Sequence, residues 1–100
     1  MIHSKKMRDS ARGEECTLEI LGVCCYNPET VVLCHFPDEG GGTAMKADDI
    51  CAGYGCHTCH TAIDKRGSCA EFDERADFYL RRSQTRTARR MFEKGVIKLK

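Results

Sequence analysis

The sequence predicts a small α+β domain held by a metal staple, and three observations carry that prediction. The chain has 100 residues, a size at which a hydrophobic core alone supplies about 3–5 kcal/mol. The β-branched apolar run TVVLCHF at 30–36 lies between turn-forming stretches and reads as a strand, whereas the segment from Phe72 to near Lys94 keeps helical spacing. Eight cysteines, two of them in the C-x-x-C of Cys56 and Cys59, offer the staple.

Residues 1–15, MIHSKKMRDSARGEE, are polar and basic and read as an arm with one short turn around Asp9 to Arg12. Asn27 and Pro28 make the turn into the first strand. Three glycines at 40–42 favour neither helix nor strand, so residues 37–49 are expected as a mobile loop, after which Ile50 to Gly55 offers a second strand. A helix is expected from His57 to about Lys65, beginning inside the Cys56–Cys59 pair, with Gly67 as its stop. The longest helix runs from Phe72, with Gly95 placed as a left-handed cap. It gathers Phe72, Ala76, Tyr79, Leu80 and Ser83 on one face and Arg82, Arg86, Arg89 and Arg90 on another. VIKLK at 96–100 alternates apolar and basic residues, as an edge strand or extended tail does. The expected organisation is one domain: the arm, a core over 16–71, and the arginine-rich helix and tail over 72–100 packed on it.

The net charge of +1 hides an asymmetry. Residues 16–50 set Lys46 against Glu19, Glu29, Asp38, Glu39, Asp48 and Asp49, while from Leu80 onward the chain is lysine- and arginine-rich with Glu93 as its one acid. A concentrated basic helix suits a phosphate backbone, so Arg82, Arg86, Arg89 and Arg90 are candidate DNA contacts; the plainer reading is a solvated helix face.

Cys56, Cys59 and His60 also spell C-x-x-C-H, the attachment signature of a c-type haem. The first fifteen residues contain no apolar run that would serve as an export signal, and no apolar stretch is long enough to span a membrane, so a reducing cytoplasmic setting is expected and haem attachment is set aside. Tetrahedral zinc explains four of the thiols: Cys56 and Cys59 from one knuckle, Cys16 and Cys24 from the segment before the first strand. CTLEILGVC must then fold back as a hairpin or loop, and by spacing alone Cys25 competes with Cys24. Cys34, Cys51 and Cys69 lack paired spacing and read as small core residues.

His35 closes the first strand, and His60 and Asp64 stand four apart on the following helix, projecting from one face. A strand histidine facing two helix ligands can assemble a divalent-metal centre. With a loop and then C-x-x-C-H on a helix, this order resembles the HNH, or ββα-metal, endonucleases. More narrowly, RDSARGEECTLEILGVC, NPETVVLCH and CHTCHTAID, within residues 8–66, resemble the small YbcO-like nucleases of lambdoid prophages.

The resemblance implies a zinc-stapled ββα-metal core with an additional basic C-terminal helix. It implies metal-dependent hydrolysis of DNA phosphodiester bonds, linked to recombination or DNA processing, with His35 as general base and His60 as a ligand of the catalytic ion. Asp64 is implied as the second helix ligand of magnesium or manganese, with zinc or nickel as alternatives. Two positions depart from the HNH pattern. Cys34 stands where many members carry a metal-binding Asp or His, and the middle asparagine is replaced, with Asp49 or Asp48 nearest; His57 is a further candidate contact to metal or phosphate. The rival function is a non-catalytic, zinc-stapled DNA-binding or adaptor module. Neither reading calls for a membrane or a small-molecule cofactor.

Overall fold

A computed structural model describes residues 4–36, 49–65 and 67–98. Helix α1 (Lys5–Asp9) starts at Ser4, whose hydroxyl accepts from the Met7 amide at 3.2 Å. The segment expected as an arm is instead part of the fold. Met7 and Ala11 enter the core, and the Ser10 hydroxyl meets that of Tyr54 at 2.7 Å.

Asn27 caps a 3-10 turn over Pro28–Thr30, accepting from the Glu29 amide at 3.1 Å. This turn takes Thr30 out of the expected strand, leaving β1 (Val32–His35) to pair antiparallel with β2 (Ala52–Gly55). The register sets Val32 opposite Gly55, Leu33 opposite Tyr54, Cys34 opposite Gly53 and His35 opposite Ala52. The second strand begins at Ala52 because Asp49 and Ile50 form a turn. The glycine-rich loop, with Asp48, lies outside the described residues.

Helix α2 (His57–Asp64) follows Cys56 directly, close to its expected bounds. The long helix expected from Phe72 is divided at Arg75 (φ −126°, ψ 29°) into α3 (Ala70–Glu74) and α4 (Ala76–Glu93). Tyr79, Ser83, Thr87 and Met91, four apart, form the buried stripe of α4. That stripe covers the outer edge of β2. The Tyr54 amide donates to the Thr87 hydroxyl at 2.9 Å, the Thr17 amide donates to the Tyr54 carbonyl at 2.8 Å, and the Thr17 hydroxyl lies 2.6 Å from that of Ser83. A hydroxyl cluster thus satisfies backbone groups that a third strand would otherwise pair.

Close approach dictates glycine on β2. A Cβ on Gly53 would run into the Ser83 hydroxyl and lie 2.7 Å from the Phe36 ring; on Gly55 it would lie 2.7 Å from Cys34 Sγ. Helix α4 ends as expected, with Gly95 at φ +75°, and the Val96 amide reaches back to the Met91 carbonyl at 2.8 Å. Val96 and Ile97 form no strand; they bend back and pack against the core. Among the described residues the architecture is a two-stranded sheet with four α-helices, none of them long and apolar enough to cross a membrane.

Candidate functional site

The sulfurs of Cys16, Cys24, Cys56 and Cys59 all lie within 4.8 Å of one another. Among the described residues this is the only group of three or more His, Cys, Asp or Glu side chains so gathered. Cys56 precedes α2 and Cys59 lies in its first turn, so the knuckle forms where the helix starts. The other pair comes from a loop. Glu19 (φ 44°) and Gly22 (φ 77°) bend CTLEILGVC back on itself, Tyr26 (φ 54°) turns the chain just beyond it, and the Glu19 amide points at Cys16 Sγ from 3.5 Å. The loop turns Cys24 inward and leaves Cys25 exposed, which decides the ambiguity of spacing.

This donor set fits zinc. Bonds of about 2.3 Å to a tetrahedron's corners put sulfurs about 3.8 Å apart, and Cys56 Sγ and Cys24 Sγ are separated by 3.8 Å. The electrostatics agree. A hydrogen bond from Cys59 holds the Cys16 thiol down at about 5, burial pushes Cys24 up to about 12, and Cys59 is driven upward because Cys16 draws on its proton. One thiol is pushed down while two of its neighbours are pushed up, a conflict that a dication relieves by replacing thiol protons. All eight cysteines are free thiols, so no disulfide competes for these ligands.

Two of the described histidines pair with aspartates. On α2, His60 Nε2 lies 3.2 Å from Asp64 Oδ2, both partly exposed, so two ligand-type groups converge on one helical face. At the end of β1, His35 Nε2 lies 2.7 Å from Asp49 Oδ1. The other Asp49 oxygen accepts from the Ser4 amide at 2.6 Å and lies 3.5 Å from Arg8 Nε. Burial alone would raise the Asp49 carboxyl, but the bonds from His35 and Ser4 and the charge of Arg8 outweigh it and hold the group below the usual carboxylate range. Asp49, a candidate metal ligand by its place in the sequence, has both oxygens engaged, one of them by His35.

Cys34 is buried, and burial, with Cys16 and Asp64 nearby, pushes its thiol up to about 12. Its thiol donates towards the Gly55 carbonyl at 3.8 Å. His57 is exposed at the start of α2, its amide donating to the Thr30 hydroxyl at 3.3 Å.

The arginines of α4 do not form a free basic face. Arg82 donates to the Leu18 carbonyl at 2.8 Å, Arg86 to Glu19 at 2.9 Å, and Arg90 to Glu14 at 2.8 Å with Glu15 at 3.4 Å. Of the four candidate DNA contacts, Arg89 alone is exposed and lacks such an acidic or carbonyl partner among the described residues. Helical spacing displays the stripe but not the acids that cover it, which come from the distant loop before Cys24.

Residues 5–96 match the family described as "Putative nuclease YbcO". The chain belongs to the YbcO family. Its relatives include "Putative nuclease YbcO" of Escherichia coli (strain K12) and "Putative nuclease ybcO" of Enterobacteria phage 82, each 48% identical over 61 residues. Those matches span 60% of this chain and 64% of each relative, so just under two thirds of the relatives' length is covered. A solved structure, "Structure of a putative bacteriophage protein from Escherichia coli str. K-12 substr. MG1655", superposes with a TM-score of 0.71 at 34% identity, covering 90% of this chain and 100% of that one. The YbcO match takes in every element from α1 to α4, and with them the cysteine cluster and both histidine pairs.

Proposed function

We propose that this YbcO-family chain is a metal-dependent endonuclease of the HNH type that hydrolyses DNA phosphodiester bonds in the reducing cytoplasm. The observation that carries the reading is the 2.7 Å bond between His35 and the buried carboxylate of Asp49. With an ionised carboxylate on Nε2, the neutral ring keeps its proton there and leaves Nδ1 bare. Nδ1 takes the proton of a water whose oxygen attacks phosphorus, the bond to the leaving oxygen breaks, and Asp49 steadies the resulting imidazolium. Arg8, 3.5 Å from Asp49, fixes the carboxylate from the other side.

His60 and Asp64 are the residues that would hold the divalent ion, magnesium or manganese by preference. Bound there, it would supply Lewis-acid stabilisation of the phosphate and the leaving oxygen. The family descriptions of the relatives as nucleases support this class of chemistry. Zinc on Cys16, Cys24, Cys56 and Cys59 is structural in this account, because four thiolates leave no open coordination position.

The neutral, buried Cys34 favours the rival, a non-catalytic DNA-binding module, since it leaves the metal short of a strand ligand. The ion pairs of Arg86 and Arg90 count against that rival, because Glu14, Glu15 and Glu19 neutralise that part of the surface it needs. Nicking of plasmid and single-stranded DNA with magnesium or manganese separates the two. Cleavage that stops on chelation, and an Asp64→Ala variant that needs more metal, support the enzyme. A folded, zinc-loaded protein that binds DNA and cuts nothing with any common divalent ion refutes it.

A further inference from the structure

Elements α1, β2 and α4 leave between them a groove of about 160 Å³. Ile50, Ala52, Ala88, Met91, Phe92 and Ile97 supply its apolar walls, and Asp49, the partner of His35, forms one end. Although the walls are apolar, Ile50 and Phe92 remain 48% and 43% exposed. Cations stand around this surface. Arg8 Nε lies 3.5 Å from Asp49, Lys6 Nζ donates to the Gly95 carbonyl at 3.3 Å, and Lys98 follows Ile97. Gln84, also in the lining, donates its amide nitrogen to the Ile50 carbonyl at 3.2 Å.

We infer that this groove receives an unpaired base of single-stranded DNA, stacked on Phe92, with Lys6, Arg8 and Lys98 serving its phosphates. A nucleobase is a flat apolar ring with a polar edge, matching apolar walls with one side-chain amide at the rim. Single-strand binding sites combine such an aromatic platform with nearby cations. A base within a duplex reaches a pocket of this kind only by leaving its stack, so the groove discriminates in favour of unpaired strands. Charge also favours this face: Arg86 and Arg90 of α4 are taken up by Glu14, Glu15 and Glu19, while Lys6 and Lys98 both stand against Gly95 and the half-exposed Arg8 pairs with Asp49 at the end of the groove. The inference rests on the nuclease reading only in placing the bound base beside His35.

The test is fluorescence anisotropy of the full zinc-loaded chain, without added divalent ion, against labelled oligothymidine and a hairpin duplex. Phe92→Ala is expected to weaken single-strand binding about ten-fold and to leave duplex binding unchanged. Ala88→Phe fills the groove while keeping Phe92, so it should produce the same selective loss, and it decides the matter if Phe92→Ala does not fold. Wild-type affinity for oligothymidine in the folded variants overturns the inference. So does an equal loss on the duplex. A dimer that Phe92→Ala turns into a monomer with DNA affinity intact assigns the groove to a second copy of the chain and also overturns it. Cleavage assays with the wild-type chain separate the two readings. Selective single-strand binding that never leads to cutting keeps the groove and removes the nuclease, whereas cutting and binding indifferent to both groove substitutions keep the nuclease and remove the groove.

Discussion

Arg90 of α4 lies 2.8 Å from Glu14, and Glu14 stands two residues before Cys16 of the cysteine cluster. Lys94 reaches the other Glu14 oxygen at 2.9 Å, and Arg86 holds Glu19 at 2.9 Å just beyond Cys16. The basic helix therefore clamps the segment that delivers half of the metal site, and its arginines act within the fold before they act on any partner.

Replacing Arg90 with glutamine should accordingly lower stability by about 1–2 kcal/mol, and Arg86→Gln by about 0.5 kcal/mol, because the second pair is more exposed. Neither should change the salt dependence of DNA binding, whereas removing a side chain that neutralises a duplex phosphate flattens the slope by about 0.9. Denaturant melts and binding at several salt concentrations check both halves.

Glu14 gives the same clamp a pH dependence. Burial alone would raise its carboxyl, but Lys94 and Arg90 hold it below the ordinary value. A depressed folded-state pKa means that the stabilisation is complete above about pH 4.3, the unfolded value, and is lost as pH falls through the folded value. The stability gap between wild type and Glu14→Gln should therefore be constant near neutrality and shrink below about pH 4. A gap that widens in acid contradicts the clamp.

The cysteine cluster predicts one tightly held zinc per chain, with Cys24→Ser losing the metal and Cys25→Ser keeping it. Removing zinc should unfold the domain, since in so small a chain metal-binding energy is largely folding energy. Elemental analysis beside a melting curve measures both. Affinity should fall with falling pH, as protons compete for thiolates.

Much of this architecture is legible in the chain, and the failures share a cause. β1, α2 and the Gly95 cap follow from local signals: a β-branched run, a cysteine knuckle opening a helix, and a glycine past the last turn. The knuckle's C-x-x-C spacing also identifies Cys56 and Cys59. Cys24 cannot be told from Cys25 by spacing because the choice depends on positive-φ bends at Glu19 and Tyr26, conformations that neither residue type advertises. The N-terminal segment reads as an arm because its buried face rests on Met7, Ser10 and Ala11, of which Met7 is the one large apolar side chain, too little for a periodic apolar pattern. His35 and its partner Asp49 are fourteen residues apart in sequence, and the acids that neutralise Arg86 and Arg90 stand more than sixty residues away. Long-range partners of this kind leave no mark on spacing.

The glycine opposite Cys34 offers a test of packing independent of any metal. Gly53→Ala places a methyl group against the Ser83 hydroxyl and the Phe36 ring, in the cluster that joins β2 to α4. The expected cost is about 2–3 kcal/mol, the usual range for overpacking with a displaced hydroxyl. A melting curve like that of the wild type would mean that α4 does not cover the strand edge as closely as described.

The central claim, that His35 oriented by Asp49 is the general base, is tested most directly by single-turnover DNA cleavage with zinc-loaded His35→Ala and wild-type protein at saturating magnesium or manganese. The account predicts a rate loss of at least about 10²-fold, with zinc content and DNA affinity unchanged, and a comparable loss for Asp49→Asn, which removes the carboxylate that fixes the ring. Cleavage by His35→Ala at the wild-type rate would contradict it.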